Sequence, residues 1–409
     1  MLYNHPNTFA ERALSTWETL AQIVSSKLLK QSPKDHVSLD TVFGKHCLIQ
    51  DDGSLISAIR IDGSRQVVGA DKLDELVLSI EAEFKAYLGN GTHRIMHSFS
   101  MDTDKTEEEL EQVFGANARK TAKNLGLIDT SLIDEYIQAN AAFCHSERNY
   151  IVVQTKVRNL TPTESKELQK LKLNQAEGMP FMTKCQSIAN GAEYYANKHL
   201  TLLDNLREMF RNNDIFCRLL DTHEITFDMR LAYDSAWTDL NYKVQLPGDN
   251  HSMELPESRK GDFSMVGVPK LADQIMSREM EIVESSLATV GDSVYAPLSV
   301  SFAPQKAKPF NILYRELKKA DIPCRITFDM SADGISLLVF QETMASFLRI
   351  TDKLGGTPDN KHIIEVSERL RALREAGEEI IQLRISICTW AYDGDVSLAK
   401  KRREQIARI

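Results

Sequence analysis

The 409-residue chain predicts an α+β fold, α/β-like in its alternation of strands and helices. Two small sheet-plus-helix modules would flank a mostly helical insertion, behind an N-terminal amphipathic helix. Three observations carry this. Stretches such as 324–330 and 381–387 alternate apolar and polar residues, the period of a strand with one buried face. Other stretches repeat apolar residues every three or four positions, the period of a helix packed on one side. Runs of Asp, Gly and Pro separate the two kinds. With 42% hydrophobic and 26% charged residues, the chain can bury two or three cores.

Residues 1–40 form the first unit. Leu14, Trp17, Ala21, Val24 and Leu28 make one apolar stripe, and Ser32-Pro33 ends the helix, since proline disfavours a helical residue before it. The stripe packs on its own domain or docks on a partner, with Trp17 as the anchor.

Residues 41–160 read as the first module. Strands over 46–50 and 55–61 flank Asp51-Asp52-Gly53-Ser54, a hairpin turn. Asp71 caps a helix carrying Leu73, Leu76, Val77, Ile80, Phe84 and Leu88, and Gly89-Asn90-Gly91 stops it. A strand follows over 93–99. Thr106 and Glu109 form a capping box, a helix covers 131–144, and the strand 150–157 closes the module.

Residues 161–262 read as helical and then as loop. Tyr195, Leu202, Leu206 and Met209 keep helical spacing, and the polar, turn-rich stretch 246–262 marks a long loop or a boundary. The second module, 263–409, alternates at Leu298, Val300 and Phe302, starts a helix at Pro309, and alternates again over 324–330. Two helical stretches follow, the second bearing Ile363, Val366, Leu370 and Leu373. A last strand over 381–387 leads to a basic helix from Ser397.

The motifs of bond chemistry are missing from the sequence. Gly44-Lys45 is followed by His46, and Leu39 stands where a P-loop needs its first glycine. No dinucleotide fingerprint and no nucleophile elbow occur. His93 and His97 have Arg94 where a zinc protease needs Glu, and they sit on a strand pattern. Cys144-His145 reads as structural and His199 as a core or groove histidine. Asp102-Thr103-Asp104 fails as a calcium loop, with Glu107 for glycine and Val113 for glutamate. Neighbours Glu378 and Glu379 would face opposite ways before a strand. Catalytic, cofactor-binding and metal residues are therefore assigned to none.

The six cysteines, at 47, 144, 185, 217, 324 and 388, read as reduced thiols, mostly buried. Net charge −9 disfavours general binding to phosphate backbones. Lys400-Lys401-Arg402-Arg403 reads as a solvated helix face or as a connector. The N-terminus carries no secretory pattern, and no apolar run approaches a membrane span.

Three segments resemble one family. Residues 48–63, with their strand, Asp-Asp-Gly turn, second strand and closing Gly63, resemble the opening hairpin of the VirB-type ATPases of type IV secretion. Thr92-His93-Arg94-Ile95 resembles that family's next strand, and 321–329 its strand ahead of the motor domain. The likeness spans roughly 40–409 and points to the IcmB/DotO subtype of the Dot/Icm system or its conjugative-plasmid relatives.

It implies a non-catalytic N-terminal assembly domain, a piece of a longer cytoplasmic ATPase peripheral to the inner membrane. ATP and Mg would belong to the motor alone. Partners would be inner-membrane secretion components, the ATPase and further copies of itself, with Leu14, Trp17, Ala21, Val24 and Leu28 as a docking stripe. Two alternatives stay open: a nucleic-acid-handling module of a conjugation machine, and an enzyme whose site is not linear in sequence.

Overall fold

A computed structural model describes residues 37–64, 69–88, 91–127, 130–157, 160–176, 191–239, 241–246, 269–284, 286–300, 310–332, 358–376 and 381–409. The fold is α+β, built on one eleven-stranded antiparallel sheet. Its strands are β1 (Leu39–Phe43), β2 (Cys47–Gln50), β3 (Leu55–Ser64), β4 (His93–Asp102), β5 (Ser146–Thr155), β6 (Ile215–Leu219), β7 (Met280–Glu284), β8 (Leu287–Val290), β9 (Ser293–Ser299), β10 (Cys324–Ser331) and β11 (Gln382–Ala391). They lie in the order β1-β2-β3-β5-β4-β10-β11-β9-β8-β7, with β6 beside the outer half of β3.

Strands of the two expected modules therefore share a sheet. β4 and β10 pair antiparallel from Cys324 opposite Met101 to Ser331 opposite Arg94. The N-terminal stripe 14–28, most of the loop 246–262, Cys185, the first helical stretch after β10 and the Glu378-Glu379 pair lie outside the described residues.

The helices are α1 (Ala70–Leu88), α2 (Thr106–Leu110), a π-turn (Glu111–Gly115), α3 (Ala116–Asn124), α4 (Ser131–Ala141), α5 (Pro162–Ala176), α6 (Ala192–Asn212), α7 (Thr222–Tyr233), α8 (Leu271–Ile275), α9 (Phe310–Ala320), α10 (Pro358–Glu375) and α11 (Val396–Ile406). Several expectations need correction. The capping box at Thr106 does not form. Lys105 is the N-cap residue, Thr106 is buried, and its hydroxyl turns back to the carbonyls of Asp102 and Thr103. α1 begins at Ala70, so Asp71 lies inside its first turn rather than before it. The stretch 160–245, expected as mostly helical, holds α5, α6 and α7 among the described residues, with β6 between the last two. The strand expected around 298–302 begins earlier and is described over Ser293–Ser299, while Phe302 and Pro309 lie outside the described residues, and the β7–β8 hairpin precedes it.

Alternation along the strands gives the sheet two unlike faces. On the first face Ile59, Ile95, Ile151 and Val153 pack against Leu202, Leu203, Leu206 and Phe210 of α6 and Leu88 of α1. Phe99, Ile326, Phe328 and Ile387 continue this layer against Leu317 of α9 and Ile406 of α11. Among the described residues the second face carries its packed apolar core at one end. There Leu48 and Ala58 meet Ile225 of α7 and Leu271 and Ile275 of α8.

Candidate functional site

The register fixes what the second face presents. Directly opposed residues share a face. One row across β5, β4, β10 and β11 is Gln154, Arg94, Ser331 and Gln382. The next is Val152, Met96, Asp329 and Arg384, then Tyr150, Ser98, Thr327 and Ser386, then Arg148, Ser100, Arg325 and Cys388.

A cleft of about 460 Å³ lies over the last rows. Its floor is sheet and its walls are α7, the segment 234–238 and the start of the insertion joining β4 to β5. The middle is apolar, lined by Ile56, Met96, Val152, Leu220, Ile225 and Met229. Methionine suits such a surface because its unbranched thioether adapts to differently shaped occupants.

Polar groups stand at the two ends. At one end the Tyr150 hydroxyl donates to Asp228 Oδ2 at 2.7 Å, and Arg148 Nη1 lies 3.5 Å from Oδ1. Burial raises the Asp228 carboxyl above the usual carboxylate range, against the lowering effect of the Tyr150 hydrogen bond and of Arg148. At the other end the Tyr392 hydroxyl donates to Asp102, which burial likewise raises. Lys105 Nζ donates to the Ser235 carbonyl at 2.7 Å, and Arg325 Nη1 to the Ala232 carbonyl at 3.0 Å. These groups hold the walls to the floor, and each carboxylate has a tyrosine partner. The arrangement can seat an apolar body and offer it charged or hydroxylated ends. Neither His nor Cys is among the described residues lining it.

The histidines singled out by sequence lie elsewhere. His93 and His199 are buried on the first face, and Thr155 Oγ1 lies 2.9 Å from His93 Nδ1 and 2.7 Å from His199 Nδ1. His199 Nε2 lies 2.9 Å from Ser57 Oγ. That spacing resembles a nucleophile and its base. Ser57 is 0% exposed, however, and its hydroxyl donates to the His46 carbonyl at 2.5 Å, so no substrate reaches it. His97 bonds Asn149 and stacks on Phe328. Cys144 is exposed, and Cys47 and Cys324 are buried.

The basic run on α11 is anchored rather than wholly solvated. Arg402 forms a bidentate pair with Asp104 at 2.9 Å and donates to the Trp390 carbonyl, while Lys400 pairs with Glu284. Arg148, Tyr150, Asp228 and Arg325 escaped sequence reasoning. For Arg148, Tyr150 and Arg325 the one signal was the run of polar residues at alternate positions of β5 and β10, and Asp228, on α7, had none.

Beside the cleft the insertion presents the opposite of a packed helix bundle. Val113, Phe114, Leu125, Leu127, Leu132, Tyr136 and Phe143 are exposed, Phe143 at 87% and Leu132 at 75%. Only Ala122 and Ile137 are its buried apolar side chains among the described residues. Arg119 ties the insertion together, bonding Glu111 at 2.9 Å and Asp134 at 2.6 Å. Compared with known proteins, the chain matches no family model and no curated protein.

Proposed function

We propose that this chain is an assembly and docking module. It presents folded surfaces to neighbouring proteins, as the N-terminal region of a VirB-type secretion ATPase would at the cytoplasmic side of an inner-membrane complex. The observation that carries the reading is the exposed apolar side chains of the insertion, continuous at Val113 with the rim of the methionine-lined cleft. Scattered exposed apolar residues need no explanation, but a concentration on one small element marks a contact surface. The segments that carry the family resemblance fall on β2–β3, β4 and β10. On this reading partner binding, not bond chemistry, is the task, and ATP and Mg belong to a motor domain.

The test is co-purification of the intact chain with inner-membrane secretion components, against L132S/F143S and a form lacking residues 1–36. Loss of association by L132S/F143S, with its thermal melt unchanged, is expected. Association equal to that of the intact chain would end the role given to the insertion. Retention by the truncated form would end the role given to the stripe at Leu14, Trp17, Ala21, Val24 and Leu28. A second reading, an enzyme or small-molecule binder, draws on the volume of the cleft, which lies in the range of ligand pockets of about 300–1,000 Å³. Saturable binding of a small metabolite blocked by Met96→Trp would favour it.

A further inference from the structure

Two helix faces wall the apolar cleft. At the start of the insertion Lys105, Glu108, Glu109 and Gln112 recur at the three- and four-residue spacing of a helix, with Val113 beside them, and all five line it. On α7 Ile225, Asp228, Met229 and Ala232 do the same. The floor is sheet, bearing Met96 and Val152. A trough of sheet and helix, apolar along its middle, receives a further helix by its apolar side. Met96 and Met229 let it adapt to the side chains that enter.

Charge specifies the kind of helix. Three cations line the cleft, and each is engaged within the protein. Arg148 lies 3.5 Å from Asp228. Lys105 donates to the Ser235 carbonyl and lies 4.9 Å from the centroid of the Tyr392 ring. Arg325 donates to the Ala232 carbonyl and lies 5.9 Å from the centroid of the Trp390 ring. Of the four carboxylates, Asp228 and Asp102 accept the Tyr150 and Tyr392 hydroxyls. Glu108 and Glu109 stand at the lip, and neither pairs with a cation among the described residues. The Gln112 amide lies 3.4 Å from Glu108. Exposed Glu107 extends the negative lip, and Val113, 69% exposed, carries apolar surface over it. An anionic partner would meet these glutamates head on, whereas a lysine or arginine beside an apolar helix face finds opposite charge waiting.

We propose, building on the docking reading, that the cleft takes one basic amphipathic helix of a partner protein. Its apolar side chains would lie on Met96 and Met229 and its cations along Glu108 and Glu109.

Fluorescence anisotropy tests this, with the intact chain titrated into a labelled helical peptide of about 18 residues, leucine at helical spacing and lysine elsewhere. Saturable binding is expected, and the same peptide with glutamate for lysine should bind at least about tenfold more weakly. E108Q/E109Q should weaken the lysine peptide by about threefold to tenfold, the loss of two exposed ion pairs, and flatten its salt dependence. Met96→Trp fills the floor and should abolish binding. If that variant does not fold, E108Q/E109Q decides, because Glu108 is exposed at the lip. L132S/F143S, outside the cleft lining, should bind the peptide as the intact chain does. No saturable binding of the lysine peptide, equal binding of the glutamate peptide, or unchanged binding by E108Q/E109Q would overturn the proposal. So would a dimer of the chain broken by Met96→Trp, which would give the cleft to a second copy. Co-purification of L132S/F143S judges the docking reading separately, whatever the peptide does.

Discussion

Ser57, His199, Thr155 and His93 form one directed chain of hydrogen bonds in a dry interior. Ser57 gives its only proton to the His46 carbonyl, so it accepts from His199 Nε2–H. His199 Nδ1 then accepts from Thr155, and Thr155 accepts from His93 Nδ1–H. Both rings are neutral. Burial lowers His199 to about 3 and His93 to about 4; Lys198 adds to the lowering at His93, and each ring resists charging beside the other. An unfolded chain takes up these protons near pH 6.5. The unfolded state thus binds more protons between about pH 6.5 and 3, and stability falls as pH drops through that window. Asp102 and Asp228, raised by burial, act in the opposite sense. The histidine share is therefore read as a difference. Urea midpoints measured near neutrality and near about pH 4 should fall less for H199Q than for the intact chain. Equal falls would show that the pair does not drive the acid sensitivity. Ser57→Ala strands a buried N–H and should cost about 1–3 kcal/mol at neutral pH by the same urea measurement. The helical spacing of Tyr195 and Leu202 placed His199 on a core face. Its partners come from β3 and β5, and no single-segment pattern reports them.

At the scale of elements, α7 shows how one side chain secures another helix. Asp221 and Glu224 form a full capping box at its start. Near its end Arg230, 1% exposed, donates through Nη1 to the carbonyls of Gln274 and Ile275, at 2.8 and 2.9 Å, at the C-terminal end of α8. Its guanidinium lies 3.8 Å from the centroid of the Trp237 ring. A cation there satisfies orphan carbonyls and meets the negative end of the helix dipole. Lysine has neither the fork nor the flat face, so R230K is not conservative. Arg230→Met should cost roughly 3 kcal/mol, as breaking a buried charged contact does. It should also loosen α8, seen as faster amide exchange at 271–276. Unchanged exchange would mean α8 is held by its apolar contacts alone. The α6 helix was legible from its periodicity, whereas the capping box that starts α7 was not singled out in the sequence. β6 had neither, being five residues whose strand form depends on pairing with β3. The Thr106 and Glu109 spacing misled for a related reason, since burial of the threonine favoured a bond to the preceding turn.

For the whole molecule the decisive feature is the seam between β4 and β10. The alternation of each strand was legible because one face of each is buried, but partner choice was not, since antiparallel edges of similar pattern are interchangeable in sequence. The seam has three layers of support. The ladder supplies backbone bonds along the full length of β10. On the first face Phe99 and Met101 of β4 share a core with Ile326 and Phe328 of β10 and Leu317 of α9. On the second face Arg94 and Asp329 join the same strands by a bidentate pair. A fragment ending at residue 246 would keep β1 to β6 but leave β4 as a bare edge with apolar side chains uncovered. Such an edge is a template for pairing with other chains. The fragment should aggregate or dimerise in size-exclusion chromatography with light scattering, while the chain through Ile409 does not associate by this route. Adding a peptide covering 310–332 in excess should shift the fragment toward monomer, because α9 and β10 restore the missing neighbour. A fragment that stays monomeric and melts cooperatively would show that the modules fold independently and that the seam is only an interface between them.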